Sequence, residues 1–99
     1  METPSSISLT EASRFKFGRI LATPQVIAAV PNGEILLAIN RHAKGDWGNL
    51  SAEDMEANNQ ALANGGRLLS AYRSKSGIKF WIITEADRSA TTVLLPEDY

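Results

Sequence analysis

Cysteine is missing from the sequence, and histidine occurs only once, at His42. Without cysteine the chain can form neither a disulfide nor a thiolate zinc site, and one imidazole cannot supply a typical zinc ligand set. A glycine-rich phosphate loop and a Ser-His-Asp order are also lacking. We therefore expect no metal and no cofactor.

Long apolar runs are absent as well. No stretch approaches the roughly 20 residues that a membrane-spanning helix needs. The first 13 residues, METPSSISLTEAS, lack the basic start and the apolar block of a signal peptide. These absences predict a cytoplasmic protein of bacterial type that makes no contact with a membrane.

Neither sign of charge dominates, since the net charge is −1. Asp46–Gly66 contains four acidic residues and no lysine or arginine, whereas Arg67–Leu95 contains five basic and two acidic residues. A strong nucleic-acid binder is usually basic overall, with a dense stripe of lysine and arginine. The composition argues against that class and leaves weak or local contact with a polyanion open.

The length of 99 residues fits one domain. We expect a flexible tail over residues 1–13 and a single α+β domain over residues 14–99. In Arg14–Ala22, Phe15 and Phe17 lie on either side of Lys16, which is the alternation typical of a strand. Gly18 interrupts this alternation.

Three helices are expected after this strand. The first starts at Thr23–Pro24, where threonine is a predicted N-cap and proline suits the first helical position. Asn32 is the predicted cap of the second helix, and Ser51 has capping-box spacing before a third helix with a thin apolar face. The residues of the second helix that are expected to face a core are Ile35, Leu36, Ile39 and Ala43.

The hydrophobic period changes to two in the last third of the chain. RLLSAYRS, IKFWIIT and ATTVLLP are separated by the turns SKSG and EADRS, which predicts a three-stranded antiparallel meander. We expect the N-terminal strand to join it in a four-stranded sheet with the apolar helices on one face. The last strand is apolar on both faces, so an open edge there would allow a homodimer.

RHAKGDWGNL, residues 41–50, is the first candidate site. A general base needs an orienting partner, and Gly45 breaks the helix between His42 and Asp46. The favoured interpretation is that His42 caps carbonyls at the end of its helix, where a cation is favourable. For GDWG we favour an Asp46 turn anchored by a buried Trp47, and the alternative is a recognition loop in which both residues bind a partner.

TEADRSATT, residues 84–92, is the most polar part of the meander. Turn chemistry and the preference of threonine for strands explain it without a function. As a site, Arg88 and the neighbouring hydroxyls could hold a phosphate. The basic residues that we consider for binding are Arg73, Lys79 and Arg88.

The segments RHAKGDWG, GGRLLSAY and FWIITEADRSATTVLLPEDY resemble small bacterial proteins carried on plasmids and other mobile elements. Such proteins carry labels such as plasmid-related protein or type I restriction endonuclease subunit M. The resemblance covers Phe15–Tyr99 and implies no established activity and no functional residues. The methyltransferase label does not fit, because such an enzyme needs a doubly wound domain with a cofactor loop.

An architectural resemblance points to a second function. Helices followed by an antiparallel meander are similar to barnase and the toxin endoribonucleases, which cleave RNA without a metal. The resemblance implies a catalytic set drawn from His42, Arg67, Tyr72 and Arg88. Our leading expectation is instead a non-enzymatic interaction module of mobile-element origin that binds a protein or a nucleic acid, with the metal-independent endoribonuclease as the alternative.

Overall fold

The computed structural model describes residues 13–99, so the predicted tail lies outside the described residues except for Ser13. Within residues 13–99, four strands, three helices and one 3-10 turn follow in chain order. They are β1 (Arg19–Ala22), α1 (Pro24–Ala29), α2 (Asn32–Ala43), α3 (Ala52–Asn64), β2 (Leu68–Arg73), β3 (Lys79–Thr84), β4 (Ala90–Leu94) and the 3-10 turn Pro96–Asp98.

The four strands form one mixed sheet in the order β1-β4-β3-β2. The meander β2-β3-β4 is antiparallel, and β1 joins its end parallel to β4. This arrangement confirms the predicted α+β fold with a four-stranded sheet. The chain passes through the helices between β1 and the meander, as a parallel pairing requires a crossover connection.

β1 is shorter than the predicted strand because of Gly18. Its φ is +66°, and a Cβ atom at this position would collide with the backbone carbonyl of Ser89. Glycine therefore brings the chain close to the turn between β3 and β4, and regular pairing begins only at Arg19.

Two of the three predicted caps are confirmed. Thr23 Oγ1 accepts a hydrogen bond from the Val26 amide at 3.2 Å, and Ser51 Oγ accepts one from the Asp54 amide at 3.1 Å. The prediction for Asn32 is wrong, since Asn32 is the first residue of α2 and Pro31 occupies the cap position. The Pro31 carbonyl accepts the amides of the first turn, so α2 begins without a side-chain cap.

The core lies between the helices and one face of the sheet, called here the inner face. From α2 it takes Ile35, Ile39 and Ala43, as predicted. The prediction that Leu36 also faces the core is wrong, because its side chain is 54% exposed. The stripe at positions 35, 38, 39, 42 and 43 already covers the sheet, and residue 36 lies about 100° around the helix from residue 35.

The free edge of β2 is closed by side-chain and loop contacts. Asn58 of α3 donates to the Leu69 carbonyl at 2.6 Å and accepts from the Leu69 amide at 3.1 Å. The Ala71 amide donates to the Trp47 carbonyl, and the Asn49 amide donates to the Ala71 carbonyl. These contacts satisfy backbone groups that an edge strand would otherwise expose.

β4 lies between β1 and β3, so the last strand has no free edge. The open edge that was expected on this strand is therefore absent, because both sides of its backbone are paired. Within residues 13–99, no helix is both long enough and apolar enough to cross a bilayer.

Candidate functional site

His42 lies at the centre of a buried chain of hydrogen bonds. Its Nδ1 atom is 2.5 Å from Ser70 Oγ, and its Nε2 atom is 2.9 Å from Thr84 Oγ1. Thr84 Oγ1 lies 2.8 Å from Thr91 Oγ1, which donates to the Phe17 carbonyl at 2.8 Å. All four hydroxyl and imidazole side chains are 0% exposed.

The carbonyl at the end of this chain fixes the direction of every bond. Because Thr91 donates to the carbonyl, Thr91 accepts from Thr84, and Thr84 accepts from His42 Nε2–H. The Nδ1 atom of His42 then accepts from the Ser70 hydroxyl. We therefore assign His42 as the neutral Nε2–H tautomer, in which each ring nitrogen has one partner.

The surroundings of His42 oppose protonation. The rings of Phe15, Phe17 and Trp47 enclose the imidazole at centroid distances of 5.2, 5.8 and 5.6 Å. Burial lowers the pKa of His42 to about 3. The interpretation of His42 as a charged cap of its helix is wrong, because the side chain points into the core and stays neutral.

Ser70 Oγ and His42 Nδ1 lie within hydrogen-bond distance, as the nucleophile and the general base of a hydrolase do, but the resemblance ends there. Both side chains are 0% exposed, so no substrate can approach the hydroxyl while the protein is folded. The remaining imidazole nitrogen bonds to a threonine instead of a carboxylate. The pair is a core feature that satisfies two buried polar groups.

The GDWG segment is a structural turn, as favoured from the sequence. Asp46 Oδ1 accepts from the Gly48 amide at 3.3 Å, and the Arg41 guanidinium, 2.7 Å from Asp46 Oδ2, lowers the pKa of this carboxyl. Trp47 is 3% exposed, and its indole N–H donates to Asn59 Oδ1 at 3.1 Å. The alternative of a recognition loop with an exposed Trp47 is wrong.

Arg88 has a structural role, because its guanidinium donates to backbone carbonyls of neighbouring segments. Its guanidinium donates to four carbonyls, those of Gly66 at 2.6 Å, Glu85 at 3.1 Å, Ala86 at 3.2 Å and Ala61 at 3.2 Å. These bonds join the end of α3 to the β3–β4 turn, where Arg88 has a φ of +61°. Both terminal nitrogens of the guanidinium, Nη1 and Nη2, donate to backbone carbonyls.

The four residues of the endoribonuclease alternative do not share an accessible site. Tyr72 is 3% exposed, donates to the Asp46 carbonyl at 2.7 Å, and has its pKa raised to about 12 by burial. His42 is sealed in the core, and Arg88 is bound to carbonyls. Arg67 lies outside, where it donates to the Tyr99 hydroxyl at 2.8 Å. Across residues 13–99, no three His, Asp or Glu side chains are grouped as metal ligands.

The sheet face opposite the core, called here the open face, carries the remaining candidate surface. Its cross-strand rows include Leu69 opposite Ile83 and Ala71 opposite Trp81. Trp81 is half-buried and contacts Tyr99 edge-on at a centroid distance of 5.9 Å. A depression of about 260 Å³ lies between these two rings and Arg67.

Arg73 and Lys79 are the next cross-strand pair on the open face. The amides of Leu69 and Ala71 point away from β3, so residues 69, 71 and 73 form the non-hydrogen-bonded pairs of this ladder. Side chains approach most closely in such pairs, and like charges directly opposite each other are destabilising. Neither cation has a carboxylate of residues 13–99 within salt-bridge distance.

A second depression, of about 440 Å³, joins this cationic pair to Trp81. Its rim is completed by Asn49, which follows the GDWG segment, and by Pro96 from the 3-10 turn. The sequence singled out Arg73 and Lys79 but missed Trp81. The alternation in IKFWIIT had placed Trp81 on the same face as Lys79, and this was the signal that could have found it.

No protein-family model matches the chain, and comparison with curated proteins and with solved structures finds no match either. The resemblance to proteins of mobile elements therefore stays a prediction.

Proposed function

We propose that this protein is a non-enzymatic binding module that holds a single-stranded nucleic acid on the open face of its sheet. The observation that carries the proposal is the pair Arg73 and Lys79, which face each other beside Trp81 without a neutralising carboxylate among the described residues. Origin on a mobile element and a cytoplasmic location remain expectations from the sequence.

Electrostatics favours an anion at this position. Two cations held opposite each other raise the energy of the free protein, and a phosphate between them would relieve that repulsion. The two side chains are exposed and belong to adjacent strands, so an anion can reach both without a change in the backbone. The attraction is local, since the whole chain has a net charge of −1.

Trp81 supports a nucleic acid over a simple anion. Aromatic side chains on open sheet faces stack on unpaired bases, which is the common mode of single-strand recognition. The depression of about 440 Å³ lies within the size range of small-molecule sites and reaches from Trp81 to both cations. One nucleotide would then place its base on the indole and its phosphate near Arg73 and Lys79.

The experiment measures the anisotropy of a labelled eight-nucleotide oligouridine as the protein is added at several salt concentrations. In Arg73→Gln/Lys79→Gln we expect weaker binding and a slope of log K against log salt that is shallower by about 0.7, because the one phosphate held between the two cations is no longer neutralised. Trp81→Leu should weaken binding by about 1–3 kcal/mol, because a stacking surface is lost.

The matched control is Lys16→Gln/Lys44→Gln, which removes the same charge from exposed positions away from this depression. It should bind like the wild type. Equal weakening in this control, equal affinity for duplex RNA, or no binding by the wild type would contradict the proposal. Loss of the labelled strand by cleavage would favour the endoribonuclease alternative.

A further inference from the structure

β1 has backbone groups that are aimed away from the sheet. The Arg19 amide donates to the Ser89 carbonyl and the Thr23 amide donates to the Val93 carbonyl, both at 3.0 Å. Since successive residues of a strand point their amides and carbonyls to opposite sides, those of Ile20 and Ala22 face outward. Of the strands formed by residues 13–99, none lies on that side of β1.

The two edges of the sheet are treated differently. The β2 edge is closed by Asn58 and by the backbone of Trp47 and Asn49, as described above. β1 instead presents Ile20, 45% exposed, and Leu21, 39% exposed, on opposite faces of the sheet. Proline and a bulge, which protect many open edges, do not occur within Arg19–Ala22, and the one charge of this short strand is Arg19 at its first position.

We propose that β1 pairs antiparallel with β1 of a second copy of this chain, about a two-fold axis through Leu21. Ile20 then lies opposite Ala22 of the partner subunit, and Ala22 lies opposite the partner's Ile20. Each of these two pairs exchanges both backbone hydrogen bonds, which gives four bonds in total. The two helix layers come to lie on the same side of a continuous eight-stranded sheet.

The register follows from the strand itself. An axis through Leu21 brings the two leucines into contact on the open face and sets Arg19 opposite Thr23 of the partner subunit, so no like charges meet. An axis through Ile20 would set Ala22 opposite the partner's Gly18, whose φ of +66° is incompatible with a regular strand. The edge is therefore self-complementary in one register, as a two-fold interface requires.

The pairing involves few residues, so we expect association that depends on concentration. Stable interfaces bury about 1,200–2,000 Å², which a four-residue strand does not reach alone. Sedimentation equilibrium of the full chain up to about 1 mM should show the mass rising from 10.7 kDa toward twice that value.

Two variants test the contact, and one controls for apolar exposure elsewhere. Leu21→Lys places two ammonium groups together at the axis, and Ile20→Pro removes an outward amide without removing a bond to β4. Both should remain monomeric at concentrations where the wild type dimerises. Leu37→Lys changes a side chain that is 64% exposed on α2 and should dimerise like the wild type.

Hydrogen exchange of the wild type gives an answer that does not depend on how the variants fold. The amides of Ile20 and Ala22 should exchange more slowly as the concentration rises. A wild-type monomer over the whole range, a Leu21→Lys dimer as tight as the wild type, or loss of the dimer in Leu37→Lys overturns the proposal. Protection of these amides in a monomer also overturns it, because another part of the chain then covers β1.

Discussion

Acid should destabilise the fold through the single histidine, and this effect can be calculated from its burial. The pKa of His42 is about 3 in the folded protein, against about 6.5 for an exposed imidazole. Because the folded pKa is depressed, the unfolded state binds more protons between these values, and stability is lost as the pH falls below about 6.5. From pH 8 to pH 5 the free energy of unfolding should drop by about 2 kcal/mol.

Urea denaturation at half-unit pH intervals between 8 and 5 measures this drop. The chain has one histidine, so His42→Gln removes the titrating group completely, and its stability should be flat over the same window. Asp46 and Asp87 do not confuse the result, since the pKa of each is lowered and its contribution to stability is lost only near and below pH 3.8. The assignment of His42 as buried and neutral would be refuted if the free energy of unfolding of the wild type changed by less than about 0.5 kcal/mol between pH 8 and pH 5. It would also be refuted if the free energy of unfolding of His42→Gln fell in parallel with that of the wild type.

Three further substitutions test the packing around the site by chemical denaturation. Gly18→Ala should cost about 2 kcal/mol or more, since its φ of +66° and the nearby Ser89 backbone leave no room for a side chain, and a cost below about 0.5 kcal/mol would contradict this. Arg88→Ala should cost about 2 kcal/mol through four lost carbonyl contacts. Arg88→Gly should be less harmful because glycine accepts a φ of +61°, and the reverse order would show that backbone strain is unimportant there. Trp47→Ala should cost about 3–5 kcal/mol, as expected for a tryptophan that is 3% exposed, and a neutral effect would mean that the loop is not anchored.

The parts of the fold that depend on local chemistry could be predicted from the sequence. Thr23 and Ser51 form caps because a short hydroxyl side chain reaches the amide three residues on, and no distant residue is needed. The alternation in the last third likewise predicted the meander. The predicted cap at Asn32 was wrong because Pro31 occupies the position before the helix and Asn32 lies in the first turn.

The orientation of side chains around the helices depended on tertiary contacts that the sequence does not reveal. His42 looked like a helix-end cation because lysine and glycine follow it. Only the sheet brings Ser70 and Thr84 to its two nitrogens, from 28 and 42 residues away in the chain. Leu36 matched the helical period, but its neighbour Ile35 was the residue that faced the core.

The candidate site was predicted as separate residues and not as a surface. Arg73 and Lys79 were both considered for binding, but their pairing depends on the register of β2 against β3. Arg88 looked similar in sequence, yet its guanidinium is used by carbonyls. Charge at a position indicates a binding residue only when the fold leaves that charge without a partner.

The two tryptophans allow one measurement to test the central claim that the open face binds single strands. In an amide correlation spectrum of ¹⁵N-labelled protein, the indole N–H of Trp81 reports on the open face, whereas that of the buried Trp47 donates to Asn59 of α3. Titration with oligouridine should shift the Trp81 signal together with the amides of Arg73 and Lys79 and leave the Trp47 signal in place. Shifts confined to other surfaces, or no shift at saturating oligouridine, would contradict the account.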